Sequence, residues 1–253
     1  MTEVTDSPPM LQMSSLFRND PVYHRFYRLW QDMNLGLAAL FGDFLQMPLA
    51  RTYELYELWC FLRLLRAAVL EYGSTGVDLS NLFVTNAAGG VTISAGAVIV
   101  SVSPDKVLCF QRQYREYWVE PSGEGSFSRV MVPDVVLAGT GFGTPGRQVI
   151  VLDAKYRIND GLNDALSSIH MYRDALVQEA NSGEIEGIVT AAYLLTPHTP
   201  AINADFKNTP VPGRLFHPQY RDKFRFGAIT LRPGMSSDDL RNSLKTIVAD
   251  AVG

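Results

Sequence analysis

One run of residues constrains this chain more than any other. Val149-Ile150-Val151-Leu152 is unbroken and apolar, and it leads straight into Asp153-Ala154-Lys155. Such a run fits a strand buried on both faces, in the middle of a sheet. Side chains alternate along a strand, so Asp153 and Lys155 project from the same face. A carboxylate and an ammonium at the end of a buried strand cost free energy unless they have a partner or a task. A second apolar run, Val130 to Leu137, is interrupted by Pro133-Asp134. The two runs, spanning 129–138 and 148–157, flank the Gly-rich segment Gly139 to Gly146. A hairpin of the two brings Asp134 close to Asp153.

The rest of the chain arranges itself around this pair. Residues 1–20 read as a flexible leader. From Pro21 to Tyr72 the pattern is helical: Tyr23, Phe26, Tyr27 and Trp30 share a face, Leu35 to Leu45 continues as an apolar helix, and Pro48 marks a break. A third helix from Arg51 to Tyr72 is apolar almost all round, which argues for burial, and Gly73 ends it. Residues 81–86, 91–101 and 107–119 have strand character, as do Ile188 to Leu195 and Phe224 to Leu231. A helix is expected from Asn163 to Glu179, and a last one to Val252, capped by Ser237 with Asp238 and Asp239. The expected fold is α/β, a mixed central sheet flanked by helices. It divides into the leader, an N-terminal helical region over 21–73 and a core over 74–253.

Composition excludes several classes. With 253 residues, 47% hydrophobic and 19% charged, the chain is an ordinary globular one. Its longest apolar stretch, Val91 to Val102, falls short of the ~18 residues of a membrane span. The acidic, Pro-containing start is no secretory signal, and two cysteines, Cys60 and Cys109, are too few for a disulfide framework. A cytoplasmic protein without a membrane partner is expected. A net charge of −4 excludes a broadly basic coat for nucleic acid but not a local groove, and the basic residues are mostly arginine.

Two carboxylates and a lysine at this spacing suit phosphoryl chemistry. Asp134 and Asp153 can hold Mg²⁺ or Mn²⁺ through oxygen, leaving positions for water and phosphate. Lys155 can neutralise charge that develops on the phosphate or orient the attacking water. Phosphate esters hydrolyse so slowly unaided that catalysis must supply on the order of 20 kcal/mol, within reach of a metal site. No serine, cysteine or histidine arrangement points to a covalent nucleophile. The four histidines lack zinc spacing.

Pro133-Asp134 followed by Asp153-Ala154-Lys155 resembles the PD-(D/E)xK nuclease superfamily. The resemblance extends from about residue 20 to about residue 235. Leu55-Tyr56-Glu57-Leu58-Trp59 is similar to the helix that brings a glutamate to the metal site, and Ile169-His170-Met171-Tyr172-Arg173-Asp174 to the helix beside it. Together these segments look most like the McrC-like restriction endonuclease family (DUF2357-type nuclease domain), the nuclease partners of McrB-type NTPases. The third motif carries aspartate where many relatives have glutamate. The N-terminal region with which such proteins dock on the NTPase looks short or absent. The resemblance implies that Glu57 completes the site, with Glu54 one turn earlier as its competitor, and that the Ala154 carbonyl is a further metal ligand. It also implies a role for His170 and Arg173 at the substrate.

Other readings follow from the residues alone. Arg157 shares the Lys155 face and is placed at DNA, whereas Tyr156 points the other way, toward the core. Asp205 to Arg225 holds a surplus of positive charge, so Arg221, Lys223 and Arg225 are candidates for phosphate contact, a solvated loop being the competing reading. The Gly-rich loop joins two strands and lacks the Gly-Lys-Ser/Thr of a P-loop, so it is a hairpin tip and the chain has no NTPase of its own. The expected function is a Mg²⁺-dependent DNA endonuclease of a prokaryotic restriction or anti-phage system. It would act with a separate McrB-like AAA+ NTPase and as a homo-oligomer, since cutting both strands takes two sites. RNA remains open as substrate. The alternative from another class is a catalytically inactive nuclease-fold scaffold that binds DNA or assembles with an NTPase.

Overall fold

The computed structural model describes residues 52–73, 83–85, 91–93, 97–120, 122–139, 149–156 and 161–252. The leader, the helices expected between Pro21 and Pro48, Arg157 and most of the Gly-rich loop lie outside them. Contacts divide the chain into two compact units, Met1–Pro48 with Thr85–Thr92, and Leu49–Val84 with Ile93–Gly253. Only Thr85, Val91 and Thr92 of the first unit are described. The buried helix belongs with the core unit and not with the segment before it.

The apolar run becomes strand β7 (Val149–Ala154), and every one of its residues is buried. It lies inside a six-stranded mixed sheet. On one side β7 pairs in parallel with β10 (Val189–Thr196), and β10 pairs in parallel with β11 (Phe226–Thr230). On the other it pairs antiparallel with β6 (Val135–Gly139), followed by β4 (Lys106–Phe110) and β3 (Val98–Ser103). β10 is likewise buried throughout, as a strand covered on both faces should be. Short strands β1 (Phe83–Thr85) and β2 (Val91–Ile93) form a sheet of their own.

Helices supply the two covers. α1 (Thr52–Tyr72) ends at Gly73, which adopts a φ of +66°. It packs against α4 (Ser237–Val252). The Tyr56 ring of α1 meets Tyr156 just past β7. α2 (Gly161–Ala175) covers the opposite face, where Leu162, Ala165 and Ile169 share a core with Val149, Val151 and Leu194. Among the described residues no helix is long and apolar enough to cross a membrane.

Several expected boundaries move. The run 107–119 is a strand only to Phe110, because Gln111 turns into the left-handed region at φ 49°. The run 91–101 resolves into β2 and β3. In the run 129–138 the strand starts at Val135, and Met131 makes only an isolated bridge to Tyr114. α2 stops at Ala175 and the chain passes directly into β8 (Leu176–Glu179). β8 sits between β5 (Glu124–Ser126) and β9 (Ile185–Gly187) in a three-stranded sheet. Tertiary pairing overrides helical periodicity there. Asp205 to Arg225 is not a plain loop, since it contains helix α3 (Pro218–Phe224). The cap of α4 is Ser236, one residue earlier than expected: its hydroxyl accepts the Asp239 N–H, and Asp239 accepts the Ser236 N–H in return.

Candidate active site

Register decides which residues meet at the C-terminal end of β7. Val135 lies opposite Leu152 and Phe110 opposite Val135, so the next row outward is Gln111, Asp134 and Asp153. The Gln111 N–H donates to the Asp134 carbonyl at 2.9 Å, extending the ladder by one bond. The Ala154 N–H donates to Asp134 Oδ2 at 2.7 Å. N–H and C=O of one residue point to the same side of a strand, so the Ala154 carbonyl also lies on the Asp134 side. The hairpin thus brings the two aspartates together as expected, and a carboxylate clamps its open end.

Lys155 joins them. Its Nζ is 2.8 Å from Asp153 Oδ2 and 3.7 Å from Asp134 Oδ2. Asp153 Oδ2 also accepts the Ser168 hydroxyl of α2 at 2.6 Å. Glu57, buried on α1, accepts from the Gln111 side-chain amide at 3.4 Å. Glu54, one turn earlier, is only half-buried. In each aspartate one oxygen is fixed by the protein, and the other has no hydrogen-bond partner among the described residues.

The electrostatics are unbalanced. Three carboxylates (Glu57, Asp134, Asp153) face one ammonium in a site where Asp153 is 1% exposed. Burial first, and then the neighbouring Asp153 charge, push the Asp134 carboxyl up to about 8, against the pull of Lys155. Glu57 is raised by burial and by Asp153, with Lys155 and Gln111 opposing. Burial alone would lower the Lys155 ammonium, but Asp153 and Asp134 outweigh it and hold the pKa above its ordinary value. With all three carboxylates ionised the site would hold more negative charge than one lysine cancels; the raised Asp134 relieves this by keeping a proton, and a divalent cation can take that proton's place.

Among the described residues no three His, Cys, Asp or Glu side chains gather tightly enough to enclose an ion by themselves. Mg²⁺ does not require that, because it keeps several waters and binds through one or two carboxylates. The unengaged oxygens of Asp134 and Asp153, with the Ala154 carbonyl, are a donor set of that kind. Glu57 stands nearby.

Two polar residues of α2 escaped sequence reasoning. Ser168 holds Asp153, and Tyr172, one turn later, donates its hydroxyl to the Val132 carbonyl at 3.1 Å. Burial and the three carboxylate charges raise the Tyr172 pKa, which places its hydroxyl in their field. Their i, i+4 spacing beside the apolar stripe of a helix following Asp-Ala-Lys was the legible signal. Gln111 had none.

The expected substrate contacts fare differently. His170 lies roughly 200° around α2 from Ser168. Its ring packs on Phe226 at 4.3 Å, two strands away from β7. Arg173 donates to the Phe224 carbonyl at 2.8 Å. Arg221 is 7% exposed, ion-paired with Asp250 at 2.9 Å and bonded to the Phe216 carbonyl, so it holds the fold and offers no free fork to phosphate. Lys223 is exposed and Arg225 half-buried, but both precede β11, whereas the carboxylates sit at the C-terminal end of the parallel β7. Arg157 lies outside the described residues. Tyr156 is not core: it is 56% exposed.

A family model described as the PD-(D/E)XK nuclease superfamily matches residues 54–201, more than half of the chain. The chain belongs to the PD-(D/E)XK nuclease superfamily. The match takes in Glu57, Asp134, Asp153 and Lys155, together with Gln111, Ser168 and Tyr172. No curated protein and no solved structure matches this superfamily member. Membership makes it a nuclease, a hydrolase of phosphodiester bonds, and such nucleases typically use divalent metals.

Proposed function

We propose that the chain is a Mg²⁺-dependent (or Mn²⁺-dependent) endonuclease acting on DNA. The observation that carries this is the excess of carboxylate over ammonium at the end of β7, with one oxygen of each aspartate unengaged. Asp134, Asp153 and the Ala154 carbonyl hold the cation, and Glu57 completes the site. When bound, the cation supplies charge neutralisation at the scissile phosphate and acidifies a water. Lys155, kept charged by the aspartates, donates to the phosphate oxygen on which charge builds up. Ser168 keeps Asp153 from rotating, and the Ala154 N–H does the same for Asp134, so both enter the reaction already oriented.

The setting we propose is a prokaryotic restriction or anti-phage system in the cytoplasm. The similarity of Leu55 to Trp59 and of Ile169 to Asp174 to McrC-like nucleases supports it, with a McrB-like NTPase as partner and a homo-oligomer supplying two sites. The test is cleavage of matched DNA and RNA with Mg²⁺ or Mn²⁺, by the wild type and by Lys155→Met. The expected result is DNA cleavage that falls by about 10²–10³ in the variant. RNA cleavage alone would change the substrate. A folded wild type that binds DNA, cuts neither polymer and matches its variant would favour the inactive scaffold.

A further inference from the structure

Tyr156 is the first residue past β7 on the α1 side, and more than half of its side chain is open to solvent. Single exposed aromatics are ordinary on protein surfaces. This one differs in what stands behind it and in where it stands. One edge of the ring lies against Tyr56, with centroids 5.4 Å apart and planes at 58°. Tyr56 is itself 4% exposed, its hydroxyl donates to the Leu231 carbonyl at 2.6 Å, and its ring stacks on Trp59 at 5.9 Å and 17°. A buried, hydrogen-bonded ring therefore holds an exposed one in place. Its place is next to Lys155, whose ammonium contacts Asp153. Three residues of extended chain span at most about 10 Å, so the Tyr156 and Asp153 backbones lie within roughly that distance, while the Tyr156 ring projects on the α1 side, against the Tyr56 that precedes Glu57.

Resting on the nuclease reading above, we propose that Tyr156 is a stacking subsite for an unpaired nucleobase flanking the phosphate to be cut. A backbone separation of that size keeps the ring within a few nucleotides of a phosphate held at the end of β7, at the ~3.4 Å rise of a stacked strand. A fixed, solvent-facing aromatic ring accepts any base, because every base presents a π-face. In an intact duplex those faces are covered by the neighbouring pairs. Only a single-stranded segment, an end or an extruded nucleotide can use the ring. The preferred substrate is then DNA that is unpaired at the site, read without regard to sequence at that position.

The experiment uses the full chain with Ca²⁺ in place of Mg²⁺, to hold substrate uncut. It measures binding of a labelled single-stranded oligodeoxynucleotide and of the matching duplex. Tyr156→Ala should weaken single-strand binding about tenfold while duplex binding stays within about twofold, and Tyr156→Phe should bind as the wild type does. In a series of oligonucleotides each lacking one base, the wild type should show one position where the missing base matters. Tyr156→Ala should show none there. Equal single-strand affinity in wild type and Tyr156→Ala, or equal weakening on both substrates, overturns the subsite. A wild type that cuts DNA while Tyr156→Ala leaves binding untouched removes this inference alone. A wild type that neither binds nor cuts either nucleic acid removes the nuclease reading as well.

Discussion

At the scale of single residues, Gln111 shows how the site is bound to its scaffold. It is a non-glycine residue at φ 49°, which costs a β-carbon roughly 1 kcal/mol or more. Its N–H secures Asp134 and its side chain reaches Glu57, so one strained residue ties α1 to the end of the hairpin. Gln111→Gly should stabilise the fold by about 0.5–1 kcal/mol in thermal unfolding, because the strain disappears. The same variant should lose cleavage rate, because Glu57 loses its tether. A variant that is both less stable and fully active would contradict this account. Asp153 and Lys155 were legible as a pair from strand alternation, and Asp134 from the hairpin. Gln111 was not, and Ser168 only through its i, i+4 spacing with Tyr172, since each acts through a contact with a residue distant in sequence.

At the scale of elements, legibility followed burial. β7 and β10 are apolar at nearly every position and buried on both faces, so composition alone marked them. α1 announced itself through its apolar run and the Gly73 stop. Errors came where pairing, not local pattern, decides the structure. Leu176–Glu179 continues a helical pattern, yet β5 and β9 on either side draw it into a sheet. The α2 segment Ile169 to Asp174 suggested substrate contacts at His170 and Arg173, but helix phase turns Ser168 and Tyr172 toward the site in their stead. Arg221, a candidate for phosphate contact on sequence alone, is buried instead because its partner Asp250 lies 29 residues further along the chain.

At the scale of the whole molecule, the buried charge makes stability depend on pH and on metal together. The folded state raises Asp134 from 3.8 to about 8. A carboxyl raised on folding contributes stability that is full below its unfolded pKa and lost as pH climbs through its folded pKa. The metal-free protein should therefore lose thermal stability between about pH 4 and pH 8, and Asp134→Asn should flatten that slope. A slope unchanged in Asp134→Asn would place the titrating group elsewhere. Added Mg²⁺ should restore stability at the alkaline end, since binding to the folded state alone shifts the equilibrium. The most direct test of the metal site is calorimetric titration of Mg²⁺ and Mn²⁺ into wild type and Asp153→Asn, each shown to be folded. Saturable binding in the wild type that is lost in Asp153→Asn is the predicted result; equal binding in both, or none in the wild type, would contradict it.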